Sequence, residues 1–455
     1  MRLRQPGDSR EAEANLEALD EREKGLNKNA WVALLLIGCG DAAIAQTTST
    51  RPPSFGSAGR ATAPERHIQI RANVDASYDS NVFGLSDAQI ERNGLRGRSK
   101  DDFSLTPSLA VDLFLPFGRE SVYARGALGY DFYTNNTQLN RERINLALGG
   151  DVRVTTSCSA GADATYNRTR SNAGDVFGVT EGTILTRANT TEYRSIGARG
   201  QCAGVVGISP SFGYTHSEVR NSAQFFQLND SNQDTFDASI GYQRPSLGRL
   251  SIYGNYSQGT YLNRNVLGLP NVIAGIPSDG VKNYSAGARY ERNIGTRLSG
   301  AISLGYSWVD PKAVFSQKFR GATYSVNLNV IPTNRLSVDL VASRSAQLSN
   351  TVFASYSITE IYSVNGTYKL NDRLDLNFGG SVQKQNFHQT ASAIDQSAFL
   401  SKDRFTRTYG GFVYNLNRRI RLNGLVSHQR RSADNALFRY NNTTASLGVS
   451  LSLGR

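Results

Sequence analysis

Chemistry needs groups that titrate, ligate or attack, and this chain holds few of them in a useful spacing. Its four histidines, His67, His216, His388 and His428, fall in four separate stretches. No two have the spacing of metal ligands, and none neighbours a cysteine or a carboxylate cluster. His216 or His428 could be drawn with a nearby serine and aspartate as a hydrolytic set. Histidines at strand ends and in loops are the plainer reading. No phosphate-binding loop or dinucleotide fingerprint opens a credible helix. The sequence therefore assigns no catalytic residue, no metal ligand and no cofactor.

Arginines are the more informative set. Arg71, Arg125, Arg141, Arg143, Arg153 and Arg289 each fall on the polar face of an alternating stretch, among Asn, Gln, Ser and Thr. Asp75, Asp112, Asp151, Asp237, Asp339 and Asp375 fall on the same kind of face. Rings of arginine filter anions where they line a passage. Where they do not, they form ordinary Arg–Asp pairs between strands. Both readings require strands that gather the polar faces together.

Those strands are legible. In the closing stretch Ala445, Leu447, Val449, Leu451 and Leu453 share one face, and Thr444, Ser446, Gly448, Ser450 and Ser452 the other. Successive side chains of a strand point to opposite sides, so this is a ribbon with one apolar and one small, polar face. The same alternation starts at Ile68, Ile70, Ala72, Val74 and Ala76 and recurs throughout. The chain has 455 residues with 43 Gly, 21 Tyr and 20 Phe but a single Met, and its mean hydropathy is negative. One short run near the N-terminus apart, it has no stretch long and apolar enough for a membrane helix. Such a composition suits a transmembrane β-barrel, in which every second residue faces lipid.

Near the N-terminus, Lys24 and Lys28 precede the apolar run Trp31 to Ile37, and Ala43-Ile44-Ala45 precedes Gln46. These are the parts of a secretory signal peptide, with cleavage expected between Ala45 and Gln46. Cys39 in Leu36-Ile37-Gly38-Cys39 also fits a lipidation site. Residues 1–45 are thus read as an extension plus signal peptide. Residues 46–66, rich in Thr, Ser, Pro, Gly and Ala, are read as a disordered periplasmic lead-in.

From His67 to Arg455 the chain divides into about eighteen strands, within a range of about 16–20. Tight turns such as Thr296-Arg297-Leu298, Asn334-Arg335-Leu336 and Asp372-Arg373-Leu374 alternate with longer polar loops. A propeller blade would have short strands and similar turns. Alternating short and long connections instead match an all-β, antiparallel, up-and-down transmembrane barrel with short periplasmic turns and longer extracellular loops. Closure removes the unpaired edges that hydrocarbon does not tolerate. Tyr130, Phe132, Tyr133, Phe212, Tyr214, Tyr306, Trp308, Tyr409 and Phe412 are expected in interfacial girdles. Pro107 and Pro210 are expected at bulges or strand ends. Cys158 and Cys202 fall in neighbouring periplasmic turns, where an oxidising compartment favours a disulfide between them over two free thiols. The net charge of +12 is poor evidence for nucleic acid once the protein sits in a membrane.

The first strand ends Tyr78-Asp79-Ser80-Asn81-Val82-Phe83. With the leader, the lead-in and the strands that follow, residues 67–455 resemble the putative β-barrel porin 2 family. That resemblance implies a Gram-negative outer-membrane protein without catalytic residues. It further implies a conduit for exopolysaccharide or capsular polysaccharide, partnered by a periplasmic polysaccharide-export protein. Outer-membrane barrels commonly end in an aromatic residue, whereas this sequence ends Leu453-Gly454-Arg455. The partners expected are outer-membrane lipid and a hydrophilic, acidic polymer. The first alternative is a diffusion porin for small solutes, which one long inward-folded loop at 79–101, 171–188 or 263–281 would favour. A barrel enzyme and a plugged adhesive barrel are the others.

Overall fold

The computed structural model describes residues 66–453 except 88–89, 91–98, 171–188, 225, 268–269, 272–274, 296, 350, 352–353 and 390–399. The 1–45 leader with Cys39 and the Ala45–Gln46 junction, and all but the last residue of the 46–66 lead-in, lie outside the described residues.

Among the described residues eighteen strands follow in order. They are β1 (His67–Asp79), β2 (Asp102–Phe117), β3 (Glu120–Tyr133), β4 (Arg141–Arg153), β5 (Cys158–Arg170) and β6 (Thr190–Cys202). Next come β7 (Gly207–Asn221), β8 (Ser231–Arg244), β9 (Gly248–Asn265), β10 (Ser278–Ile294), β11 (Leu298–Pro311) and β12 (Phe319–Thr333). The last six are β13 (Leu336–Leu348), β14 (Ala354–Lys369), β15 (Leu374–Gln389), β16 (Lys402–Asn415), β17 (Ile420–Ala433) and β18 (Tyr440–Ser452). Each pairs antiparallel with the next in sequence, and β1 pairs with β18, which closes the sheet. No helix among the described residues is long and apolar enough to cross a membrane, so the crossing is made by strands.

Register sorts the side chains into two faces. Tyr214, Phe236, Tyr256, Tyr284 and Trp308 stand opposite one another across β7 to β11. Their rings lie in contact around the barrel, Tyr214–Phe236 at 4.8 Å and Tyr256–Tyr284 at 4.9 Å between centroids. The same face carries Ile208, 69% exposed, and Leu447, 66% exposed, a burial class that only lipid makes reasonable. This is the outward, girdled face. Two of the aromatics expected there turn inward instead. Tyr133 shares a face with Ser104, and Tyr409 donates from its hydroxyl to Asn365 at 2.9 Å. Alternation decides this: each sits one residue out of phase with its outward neighbours.

The inward face is polar and lies flat on the wall. Arg199 on β6 reaches across Gly161 to Asp151 on β4 and also meets Asp163, both at 2.8 Å. A Cβ at Gly161 would come within 2.3 Å of that Asp151 carboxylate. At the seam Asp75 on β1 lies over Gly448 on β18 and accepts from Asn423 on β17 at 3.3 Å. A Cβ at Gly448 would meet Asp75 at 1.9 Å, so glycine there lets one side chain tie three strands together.

Neither proline makes a bulge. Pro107 pairs with Val74, while the ladder to β3 skips the rungs at Thr106 and Pro107 without a shift of register. Pro210 faces Ile240 and stands just beyond the last rung between β6 and β7. Each proline thus sits where one ladder lapses, which removes the need for its missing donor. The register shifts are elsewhere, at Ser278/Gly280, Val330/Thr333 and Ala354/Tyr356. The two cysteines lie not in turns but on the end rungs of β5 and β6, directly opposite each other. The Cys158–Cys202 disulfide, with Cα atoms 4.0 Å apart, closes the short-turn end of that hairpin.

Candidate functional site: the barrel interior and its outer mouth

All six arginines singled out from the sequence fall on the inward face, at different heights. Arg125 stands opposite Asp112 and Ala147, and Arg71 opposite Ala110 and Ser452. Arg141 and Arg143 begin β4 near the long loops, whereas Arg153 ends it beside a short turn. Arg289 lies opposite Ser251 and Ser303. They form a staggered array along the wall, not one ring. Three have carboxylate partners: Arg125–Asp112 at 3.4 Å, Arg143–Asp131 at 3.1 Å and Arg289–Glu291 at 2.7 Å. Arg71, Arg141 and Arg153 make no ion pair with the described residues, although Arg141 stands directly opposite the Asp131 that Arg143 binds. Such an interior attracts anions locally while keeping mixed charge overall.

The mouth at the long-loop end is shaped by a device that periodicity did not reveal. The ladder between β12 and β13 begins at Tyr324–Arg344, so above that rung β13 and β14 part from β12, whose Phe319–Thr323 stay paired with β11. Lower in these strands, the even-numbered residues such as Leu340, Tyr362 and Val364 face outward. Higher up, Leu348, Tyr356 and Ile358 of the same row pack on Val281, Val309 and Phe319. Val281, Val309 and Phe319 belong to the inward face, in one register set with Asn283, Ser285 and Arg289. The β13–β14 hairpin has therefore bent over the rim and lies against the inner wall of β9–β12.

A buried clamp holds it there. Arg264 on β9 and Asp279 on β10 are both 0% exposed and pair at 3.0 Å. The Arg264 guanidinium also donates to the carbonyls of Thr351 and Ala354, each at 3.0 Å, and stacks 3.8 Å from the Tyr261 ring. Ser355 donates to Asp279 at 3.0 Å, and the Tyr261 hydroxyl lies 2.7 and 2.8 Å from the carbonyl oxygens of Ser349 and Ser355. The clamp thus grips backbone carbonyls at the hairpin tip, from Ser349 and Thr351 to Ala354 and Ser355 at the start of β14.

Two further contacts narrow the same end. Ala354 and Phe387 pack with Leu400, Ala433 and Phe438, joining the bent strands to the ends of β15–β18. Beneath them Arg431 and Asp403 form a second buried pair, 2.6 Å apart. After β1, Val82, Phe83 and Leu85 pack on Leu139 and on the inward Tyr133, and Asn81 braces them by donating to the Leu85 carbonyl at 2.8 Å. So part of the 79–101 segment does turn inward, whereas 171–188 lies outside the described residues. The 263–281 segment supplies the wall on which the hairpin rests. The histidines stay apart: His67 beside Asp112, His216 facing outward with Asp234, His388 stacked on Tyr356 and His428 on Thr443. Among the described residues no group of three or more His, Cys, Asp or Glu is placed to hold a metal.

The sequence from residue 68 to 453 matches the family model described as putative β-barrel porin 2. The chain belongs to that family. No curated protein matches it. Among solved structures it is similar to a BenF-like porin from Pseudomonas fluorescens Pf-5, at 10% identity over 86% of this chain and 99% of that one, with a TM-score of 0.43. It is also similar to a ferric enterobactin receptor mutant from Pseudomonas aeruginosa, at 10% identity over 86% and 81%, with a TM-score of 0.42. This porin-family barrel is an outer-membrane protein whose long-loop end faces outside the cell. Its clamp residues were the ones sequence reasoning missed. Arg264 and Asp279 both lie in the 263–281 stretch that reads as a polar loop, and only their contacts with the distant 349–355 segment mark them as a clamp.

Proposed function

We propose that the barrel is a passive pore for hydrophilic solutes, filtered at its outer mouth by the β13–β14 hairpin. The observation that carries this reading is the hairpin itself, clamped against the inner wall by the buried Arg264–Asp279 pair. An element folded into the mouth sets a size limit, and the interior arginines Arg71, Arg141 and Arg153, which form no ion pair with the described residues, favour anionic solutes over cationic ones. Liposome swelling with purified protein tests it. Swelling should be fast with small neutral sugars, faster with small sugar acids of equal size, and slow with large oligosaccharides. Equal rates for all sizes, or no swelling at all, would contradict the reading.

A second reading is passage of an acidic polysaccharide outward, with a periplasmic export protein feeding the barrel. The staggered arginines favour it, because an array along the whole wall can hand an acidic polymer from one level to the next. A deletion strain tests it through polysaccharide measured separately in medium, cell surface and periplasm. Loss outside with build-up in the periplasm would support export, and unchanged amounts would leave solute diffusion as the function.

A further inference from the structure

The outward face just above the apolar band differs sharply between two sides of the barrel. Across β5–β7 Arg168, Arg194, Arg220 and His216 each have an acid beside them. Arg168 pairs with Glu142 at 2.6 Å, Arg194 with Glu192 at 2.7 Å, Arg220 with Glu218 at 3.3 Å, and His216 with Asp234 at 2.8 Å. Across β15–β17 that compensation stops. Lys384 and Arg404 stand directly opposite each other on β15 and β16, and Arg430 follows on β17 opposite Thr406. All three are exposed, and none forms an ion pair with the described residues. Like charges directly opposite on a sheet repel and weaken the pairing, so this placement is costly unless something anionic covers it. On β14 Glu360 stands directly opposite Lys384, but its carboxylate pairs with Arg344 at 3.5 Å and makes no ion pair with Lys384 among the described residues.

The surroundings fit one occupant. Thr406, Thr408, His428 and Thr443 lie on the same outward face just below the cations. Below them the face turns apolar, through Val382, Val426, Ala445 and Leu447. A ligand for this surface has an anionic head level with Lys384, Arg404 and Arg430, hydroxyls or oxygens for the threonine tier, and hydrocarbon beneath. We propose that this surface binds a phosphorylated glycolipid of the outer leaflet, its phosphate seated among Lys384, Arg404 and Arg430 and its acyl chains against the apolar band.

The test uses the full barrel in detergent, titrated with bisphosphorylated lipid A, with the same lipid stripped of phosphate, with phosphatidylethanolamine and with inorganic phosphate. Native mass spectrometry reads the retained ligand. Wild-type protein should retain bisphosphorylated lipid A above the other three. The K384Q/R404Q/R430Q variant should lose that retention by roughly hundredfold, since each cation near an anionic headgroup contributes about tenfold or less. A control variant with the same loss of charge, R168Q/R194Q/R220Q, should retain it. Equal loss in both variants, no loss in the first, or equal retention of dephosphorylated lipid would overturn the proposal. Retention of inorganic phosphate as strongly as lipid would overturn it in favour of a free-anion site. Folding of each variant is checked by heat-modifiable gel mobility, and single R404Q substitution serves if the triple variant does not fold.

Discussion

At the scale of single residues, the barrel depends on side chains laid across glycines. Asp75 occupies the space over Gly448 and bonds Asn423 beyond it, so the seam between β1 and β18 is tied by one carboxylate spanning three strands. Gly448→Val should overpack this point and cost about 1–3 kcal/mol of stability. Gly410→Ala, where a Cβ would meet nothing within 4 Å, is the control. The check is the temperature at which the folded barrel loses its compact mobility on a detergent gel. A fall for Gly448→Val without one for Gly410→Ala is expected. The cross-strand reach of Asp75 was not legible in the sequence, because it depends on a pairing between the first and last strands. The polar face that carries Asp75 was legible, from simple alternation.

At the scale of elements, the strands were read closely and the hairpin was not. The reason is that alternation runs unbroken through Arg344, Ala346 and Leu348 and through Tyr356 and Ile358, exactly as it would in a lipid-facing row. What bends the hairpin inward is a mismatch of ladders, with β13 and β14 extending past their pairing with β12. No single-strand pattern encodes where the pairing with a neighbour stops. Tyr133 and Tyr409 show the same limit on a smaller scale, since aromatic type predicted a girdle and phase placed both inside. The hairpin's attachment can be tested directly. Asp279→Ala leaves Arg264 buried without its counter-ion, a loss of about 3–5 kcal/mol for a fully buried pair. Because the clamp grips only the tip, that loss should free the hairpin and leave the wall intact. Amide exchange should therefore speed up across 345–358 and stay slow in β5 and β6, where the Cys158–Cys202 disulfide closes the far end. Uniform acceleration throughout the barrel would show that the pair stabilises the fold as a whole.

At the scale of the whole molecule, one closed sheet separates three environments. Outward rows meet lipid, inward rows meet water, and the long-loop end gathers the three buried apolar clusters found among the described residues. The buried apolar packing of the described residues lies at the mouth, and on the proposed function the mouth is where passage is controlled. On the same proposal the arginines of the interior tune what the mouth admits. Single-channel conductance in a planar bilayer is the most direct measurement of this account. It would compare wild-type protein with a variant in which residues 349–355 are replaced by a two-glycine turn, shortening the hairpin below its clamp. The account predicts a small, anion-preferring conductance that rises several-fold on shortening while the anion preference set by the wall persists. Equal conductance in the two proteins would contradict it, because the hairpin would then lie outside the path that ions take.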